Sequence, residues 1–115
     1  MRWLAGTYGD FFGDIVLDPQ AGRLHYVGAH ACPPNPSFLA LHPRLPIVYA
    51  VHELRSRQSG FGGAAAAYAL GASGTLSLLG AQATGGSDPC HLATDAAGRW
   101  LLAAGCWWRT AAPVM

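Results

Sequence analysis

The chain has 115 residues; 51% are hydrophobic, 11% are charged, and the formal net charge is +1. One small domain fits that length and two do not, and a composition so rich in apolar residues excludes disorder driven by charge. A net charge this close to zero supplies no field to recruit nucleic acid or an anionic membrane surface.

The N-terminus, Met1-Arg2-Trp3-Leu4-Ala5-Gly6-Thr7-Tyr8, carries one charge and a short apolar run that ends before Asp10. A secretory leader needs an apolar stretch of about 7–15 residues, so none is expected. Short apolar runs bounded by Gly, Pro, Asn and Asp then follow one another, the pattern of strands and turns. They predict strands at Trp3–Thr7, Asp14–Leu17, Leu24–Ala29, Ser37–Leu41, Ile47–His52, Ala64–Leu70, Leu76–Ala81, His91–Thr94 and Trp100–Ala104. Four consecutive alanines, Ala64 to Ala67, favour helix by propensity. Gly62-Gly63 before them and Gly71 after them leave too little room for one, so the run reads as a strand. The uncharged stretch from Gln58 to Ser87 is long enough to span a bilayer, but repeated glycines and polar Ser73, Thr75, Ser77 and Gln82 break it. Cys32, Cys90 and Cys106 are spaced by 58 and 16 residues and form no Cys-x-x-Cys pair. Reduced thiols in a cytoplasm are expected, with no metal and no cofactor.

Two stretches match each other. Ala21-Gly22-Arg23-Leu24 corresponds to Ser73-Gly74-Thr75-Leu76 at an offset of 52. Pro36-Ser37-Phe38-Leu39 corresponds to Pro89-Cys90-His91-Leu92, and Ile47-Val48-Tyr49-Ala50 to Trp100-Leu101-Leu102-Ala103, both at 53. Leu4-Ala5-Gly6-Thr7-Tyr8 also resembles Tyr49-Ala50-Val51-His52-Glu53, 45 residues on. A period of this length with four short strands per unit is how β-propeller blades read. One blade cannot cover both its faces, so neighbours must stack on it. Propellers close with typically 4–8 blades. A leading strand and two units cannot close a ring and leave an apolar face bare at each end. Trp3 and Trp100 are expected among the residues packed between blades.

Three motifs carry a family resemblance: Ala5-Gly6-Thr7-Tyr8; Asn35-Pro36-Ser37-Phe38-Leu39-Ala40-Leu41 with Val48-Tyr49-Ala50-Val51-His52-Glu53; and Gly85-Gly86-Ser87-Asp88-Pro89-Cys90-His91-Leu92 with Asp95, Gly98-Arg99 and Leu101-Leu102. In this order and spacing they resemble the N-terminal third of the lactonase family of seven-bladed β-propellers, which includes propeller-type 6-phosphogluconolactonases. The implied fold is all-β: about two four-stranded antiparallel blades of such a propeller. Residues 1–104 would form the leading strand and two blades. His52 stands where the family usually has Asn, and Arg44-Leu45-Pro46 replaces its usual turn. Residues 105–115 leave the pattern. Read two bases out of frame, Gly105-Cys106-Trp107-Trp108-Arg109 would yield a family-like Leu-Val-Ala, so this tail is expected to be an out-of-frame end of a longer gene.

His91 follows a turn signal, Ser87-Asp88-Pro89, and begins what the repeat makes the innermost strand of its blade. An imidazole there can take a proton from water attacking a lactone carbonyl, a step worth about 10²–10⁴ in rate, and the resemblance implies a catalytic role for it. Glu53 is the only Glu of the chain and ends an apolar strand; the resemblance matches it to a second catalytic residue. Each has a structural alternative, a turn-binding His and a solvated loop carboxylate. Arg55 and Arg57 suit a substrate phosphate by charge and shape, and His52 is a third candidate substrate contact. Cys90, next to His91 on a strand whose residues alternate faces, is expected in the core. His25, His30 and His42 are expected on the surface or in turns.

The resemblance therefore implies a fragment of a cytoplasmic lactone hydrolase of carbohydrate metabolism that opens 6-phospho-glucono-1,5-lactone, inactive alone because most of the pocket lies in missing blades. A non-catalytic propeller fragment that self-associates through its open edges, or a muconolactone-type cyclase or isomerase of the same fold, are the alternatives.

Overall fold

The computed structural model describes residues 1–54 and 62–105 and the backbone of 109–113. The described elements are all strands: β1 (Arg2–Ala5), β2 (Phe11–Asp18), β3 (Arg23–Ala31), β4 (Phe38–Leu41), β5 (Ile47–His52), β6 (Ala64–Leu70), β7 (Leu76–Ala83), β8 (Pro89–Thr94), β9 (Trp100–Gly105) and β10 (Arg109–Pro113). Each of the nine predicted runs is a strand, the alanine run included. β10 lies where the pattern was expected to stop. It extends along the open edge of β9, from Arg109↔Ala104 to Pro113↔Trp100. That edge offers unpaired backbone donors and acceptors to any segment able to extend beside it, and the proline comes last, where it interrupts least. No helix among the described residues is long and apolar enough to cross a membrane.

The strands form three antiparallel sheets: β1-β2-β3, β4-β5-β6-β7 and β10-β9-β8. The sequence repeat is also a repeat of register. Ala5↔Gly13 and Asp14↔Gly28 in the first sheet reappear as Ala50↔Ala66 and Ala67↔Gly80 in the second. Both sheets slip at the same point of the outer pair, which leaves Val27 and Leu79 as the extra residues of equivalent β-bulges. In the third sheet, His91↔Ala104 through Thr94↔Leu101 repeats Phe38↔Val51 through Leu41↔Val48. The first sheet is therefore the second without its inner strand, and the described part of the third is the second without its outer strand.

Side-chain alternation on β5 splits the core in two. Ala50 joins Phe12, Ala66 and Tyr68 between the first and second sheets, with Leu4 and Leu39 against them. Tyr49 and Val51 join Ala67 and Leu92 between the second and third, with Phe38 and Leu101 against them. Both faces of β5 and β6 are thus covered, which explains why their sequences are continuous apolar runs rather than alternating ones. The two tryptophans depart from expectation: Trp3 is 51% exposed and Trp100 is 50% exposed. Leu4 and Leu101 point to the second sheet, so their neighbours Trp3 and Trp100 point the other way. Those are the end faces that the described residues leave bare.

Candidate functional site

Asn35 and Asp88 begin the approach to the two inner strands, and both are left-handed, with φ of 57° and 50°. Only Gly, Asn and Asp adopt this region readily. Each turn is tied to the chain of the preceding sheet. The Asn35 amide donates to the Gly9 carbonyl at 2.7 Å, and the Asp88 amide donates to the Leu54 carbonyl at 3.3 Å. Gly9 and Leu54 are again 45 residues apart, so the clasp repeats. The repeat pairs Pro36 with Pro89 but gave no sign of the left-handed clasps that precede them.

Glu53 is the first residue beyond β5, and Asn35 holds it from both sides. The Glu53 amide donates to the Asn35 carbonyl at 3.0 Å, and Asn35 Nδ2 donates to the Glu53 carbonyl at 3.0 Å. The same Asn35 carbonyl accepts the Ser37 amide at 2.8 Å. Glu53 Oε2 and Ser37 Oγ are buried atoms with no hydrogen-bond partner among the described residues. An unpartnered buried polar atom costs about 1–3 kcal/mol, so this corner holds polar groups that the packing of the described residues leaves unused.

His91 lies on β8, the free inner edge of the third sheet. Its side chain is exposed, and its ring is 4.4 Å from that of Phe38 at 41°. β8 thus lies beside β4, the inner strand of the second sheet. The Asp88–Leu54 hydrogen bond joins the segments carrying the two candidates: Leu54 adjoins Glu53, and His91 is three residues along β8, on the order of 10 Å away. Among the described residues no hydrogen bond or ion pair links Glu53 to His91. Cys90 is exposed, contrary to the alternation argument, and its Sγ is 3.7 Å from the Ala104 carbonyl oxygen. The register explains this: it slips between Pro89 and His91, so Cys90 is the extra residue of a bulge and simple alternation fails there.

His52, expected to touch substrate, is instead 2% exposed. Its Nδ1–H donates to the Pro34 carbonyl at 3.0 Å, which leaves Nε2 to accept from the Tyr68 hydroxyl at 2.9 Å. Burial lowers its pKa, favouring this neutral form, and pushes the Tyr68 hydroxyl up to about 12. With both nitrogens engaged inside the core, its ring has no edge to offer a ligand. Arg55 and Arg57 lie outside the described residues.

One cluster went unforeseen. Asp14, 4% exposed, accepts from both Nε and Nη2 of Arg2, the first at 2.8 Å, and lies 3.3 Å from Nε2 of His30. Hydrogen bonding from Arg2 holds its carboxyl below the usual carboxylate range. Arg2 Nη1 also donates to the Ser73 carbonyl at 3.1 Å, which ties the first sheet to a turn of the second. The single charge of Asp14 within an apolar run was the only sequence signal. A cavity of about 620 Å³ lies between β1 and β4, and neither His91 nor Glu53 lines it. Among the described residues no three His, Cys, Asp or Glu side chains converge on a point where a metal could bind.

The family described as Lactonase, 7-bladed beta-propeller matches residues 4–105. A solved structure of a candidate 6-phosphogluconolactonase from Bacteroides fragilis superposes with a TM-score of 0.70 at 29% identity, covering 89% of this chain and 28% of that one. Another, from Bacteroides uniformis, gives 0.72 at 31% identity, covering 89% of this chain and 29% of that one. The chain spans less than a third of the length of either relative. No curated protein matches it.

Proposed function

Because the chain belongs to the lactonase family of seven-bladed β-propellers, we propose that it is the N-terminal part of a hydrolase that opens 6-phospho-glucono-1,5-lactone in cytoplasmic carbohydrate metabolism. The observation that carries the reading is the placement of His91: exposed, on the inner edge of its sheet, next to the inner strand of the neighbouring sheet. In the reaction, water attacks the lactone carbonyl while His91 takes its proton. The bond from the carbonyl carbon to the ring oxygen then breaks, and that oxygen receives a proton to become a hydroxyl. The Glu53 oxygen that has no partner among the described residues, in a residue that Asn35 holds at the same end of the sheets, would orient the water. Arg55 and Arg57 follow Glu53 in sequence and supply guanidinium groups suited by charge and shape to the phosphate.

The 115-residue chain alone should be inactive, because His91 is open to solvent and the rest of the ring is absent. A form extended through the remaining blades should hydrolyse 6-phosphogluconolactone, with His91→Ala lowering kcat by about 10²–10⁴. An extended form that folds and leaves this lactone untouched overturns the assignment. Turnover of a muconolactone would move it to the isomerase class.

A further inference from the structure

The hydrolase reading makes His91 a base, and a base must be held in one orientation. An imidazole is ordinarily held by a hydrogen bond from one ring nitrogen to a carboxylate or a carbonyl. Among the described residues neither nitrogen of His91 has such a partner. Its main chain is well anchored: Pro89 is fully buried against Gly63, the Asp88 amide is tied to the Leu54 carbonyl, and Leu92 is buried. The imidazole itself lies outside that frame and meets the ring of Phe38, with centroids 4.4 Å apart and planes at 41°. Phe38 is in turn seated on the buried cluster of Tyr49, Val51 and Leu92, opposite Val51. A fixed ring thus supports an exposed one. The offset of 53 puts the two rings at matching places on the inner strands of adjacent sheets. Both sheets belong to this chain, so the contact needs no further blade.

We propose that Phe38 is a positioning residue for His91: it holds the imidazole by ring contact and favours the imidazolium formed as the water proton arrives. The role in catalysis rests on the hydrolase reading. Contact through the ring leaves both nitrogens open for proton transfer, which a hydrogen-bonded imidazole cannot offer. The face of a phenyl ring attracts a cation within about 6 Å of its centroid. A neutral imidazole gains little from this, so the attraction grows only as charge develops. It therefore lowers the barrier and does not tighten substrate binding. Holding the ring in one orientation also removes the entropy cost of finding it.

Three variants test it. Phe38→Leu removes the ring but keeps apolar bulk, and Phe38→Tyr keeps the ring. Leu101→Ala thins the same interface opposite Thr94, three residues along β8 from His91. In the form extended through the remaining blades, Phe38→Leu should lower kcat on 6-phosphogluconolactone about three- to tenfold with KM unchanged. Phe38→Tyr should restore kcat, and Leu101→Ala should lower the melting temperature and leave kcat alone. An unchanged kcat in Phe38→Leu overturns the proposal, as does an equal loss in Leu101→Ala, which would make the effect one of stability. A second readout needs no substrate: nuclear magnetic resonance of isotope-labelled histidine in the 115-residue chain, with His91 assigned by His91→Gln. The His91 ring should be fixed and shielded by Phe38 in the wild type and in Phe38→Tyr, and mobile and unshielded in Phe38→Leu. A ring equally mobile in all three overturns the proposal. If the extended wild type leaves the lactone untouched, the hydrolase reading fails, yet a His91 ring released only by Phe38→Leu still supports Phe38 as the residue that holds it.

Discussion

The interface between the first and second sheets and the one between the second and third are built from the same repeat but held by different forces. The first is fastened by polar knots, with Arg2, Asp14 and His30 at one place and His52, Tyr68 and Pro34 at another, around the edge-to-face pair Phe12–Tyr68 at 5.1 Å. The second is almost wholly apolar and is closed at its inner end by β8. The difference shows what an inner strand contributes. Where it is present, aliphatic packing closes the sheet pair, and where it is missing, the remaining contacts lie further out and leave a groove.

Six substitutions measure this contrast. Phe12→Ala should have the largest effect, about 3–5 kcal/mol by urea denaturation, because Phe12 is completely buried and centres the first interface. Leu92→Ala, in the second interface, should cost about 2–5 kcal/mol. If it exceeds Phe12→Ala clearly, the apolar interface is the stronger one and the polar knots matter little. Gly63→Ala should follow at about 1–3 kcal/mol, since a Cβ there would run into the Pro89 ring and press on the His52 carbonyl.

His52→Phe separates the interfaces by pH. The buried imidazole binds a proton less readily than in the unfolded chain. Stability should therefore be unaffected above about pH 6.5 and fall as pH drops below that value. Melting temperatures of His52→Phe should be lower at neutral pH, because the Tyr68 hydroxyl loses its partner, but should lack this decline. Asp14 acts in a lower window: its carboxyl is held below the ordinary 3.8, so its contribution is present above that pH and disappears as pH falls further. Asp14→Asn should abolish that second decline and leave the first. The smallest effect is expected for His91→Ala, within about 0.5 kcal/mol, because its side chain is exposed. A larger loss would make the Phe38 stacking structural and weaken the case for chemistry at His91.

Composition, strand spacing and the internal repeat together specified the all-β architecture. The offset of 53 between Phe38 and His91 already carried their equivalent registers, because strand periodicity and turn residues are local properties of the chain. The turn signal Ser87-Asp88-Pro89 marked where one inner strand begins, and the repeat paired its proline with Pro36 before the other. Which side chains end up covered was decided by the tertiary structure. His52 reads as a strand-end polar residue, and only the arrival of Pro34 and Tyr68 makes it a buried, neutral link. Trp3 and Trp100 read as core residues, yet they face directions in which the described residues form no further sheet. Cys90 reads as buried until a bulge turns it outward. Alternation assigns a residue to one face of a sheet, but whether that face meets protein or water depends on a neighbour distant in sequence.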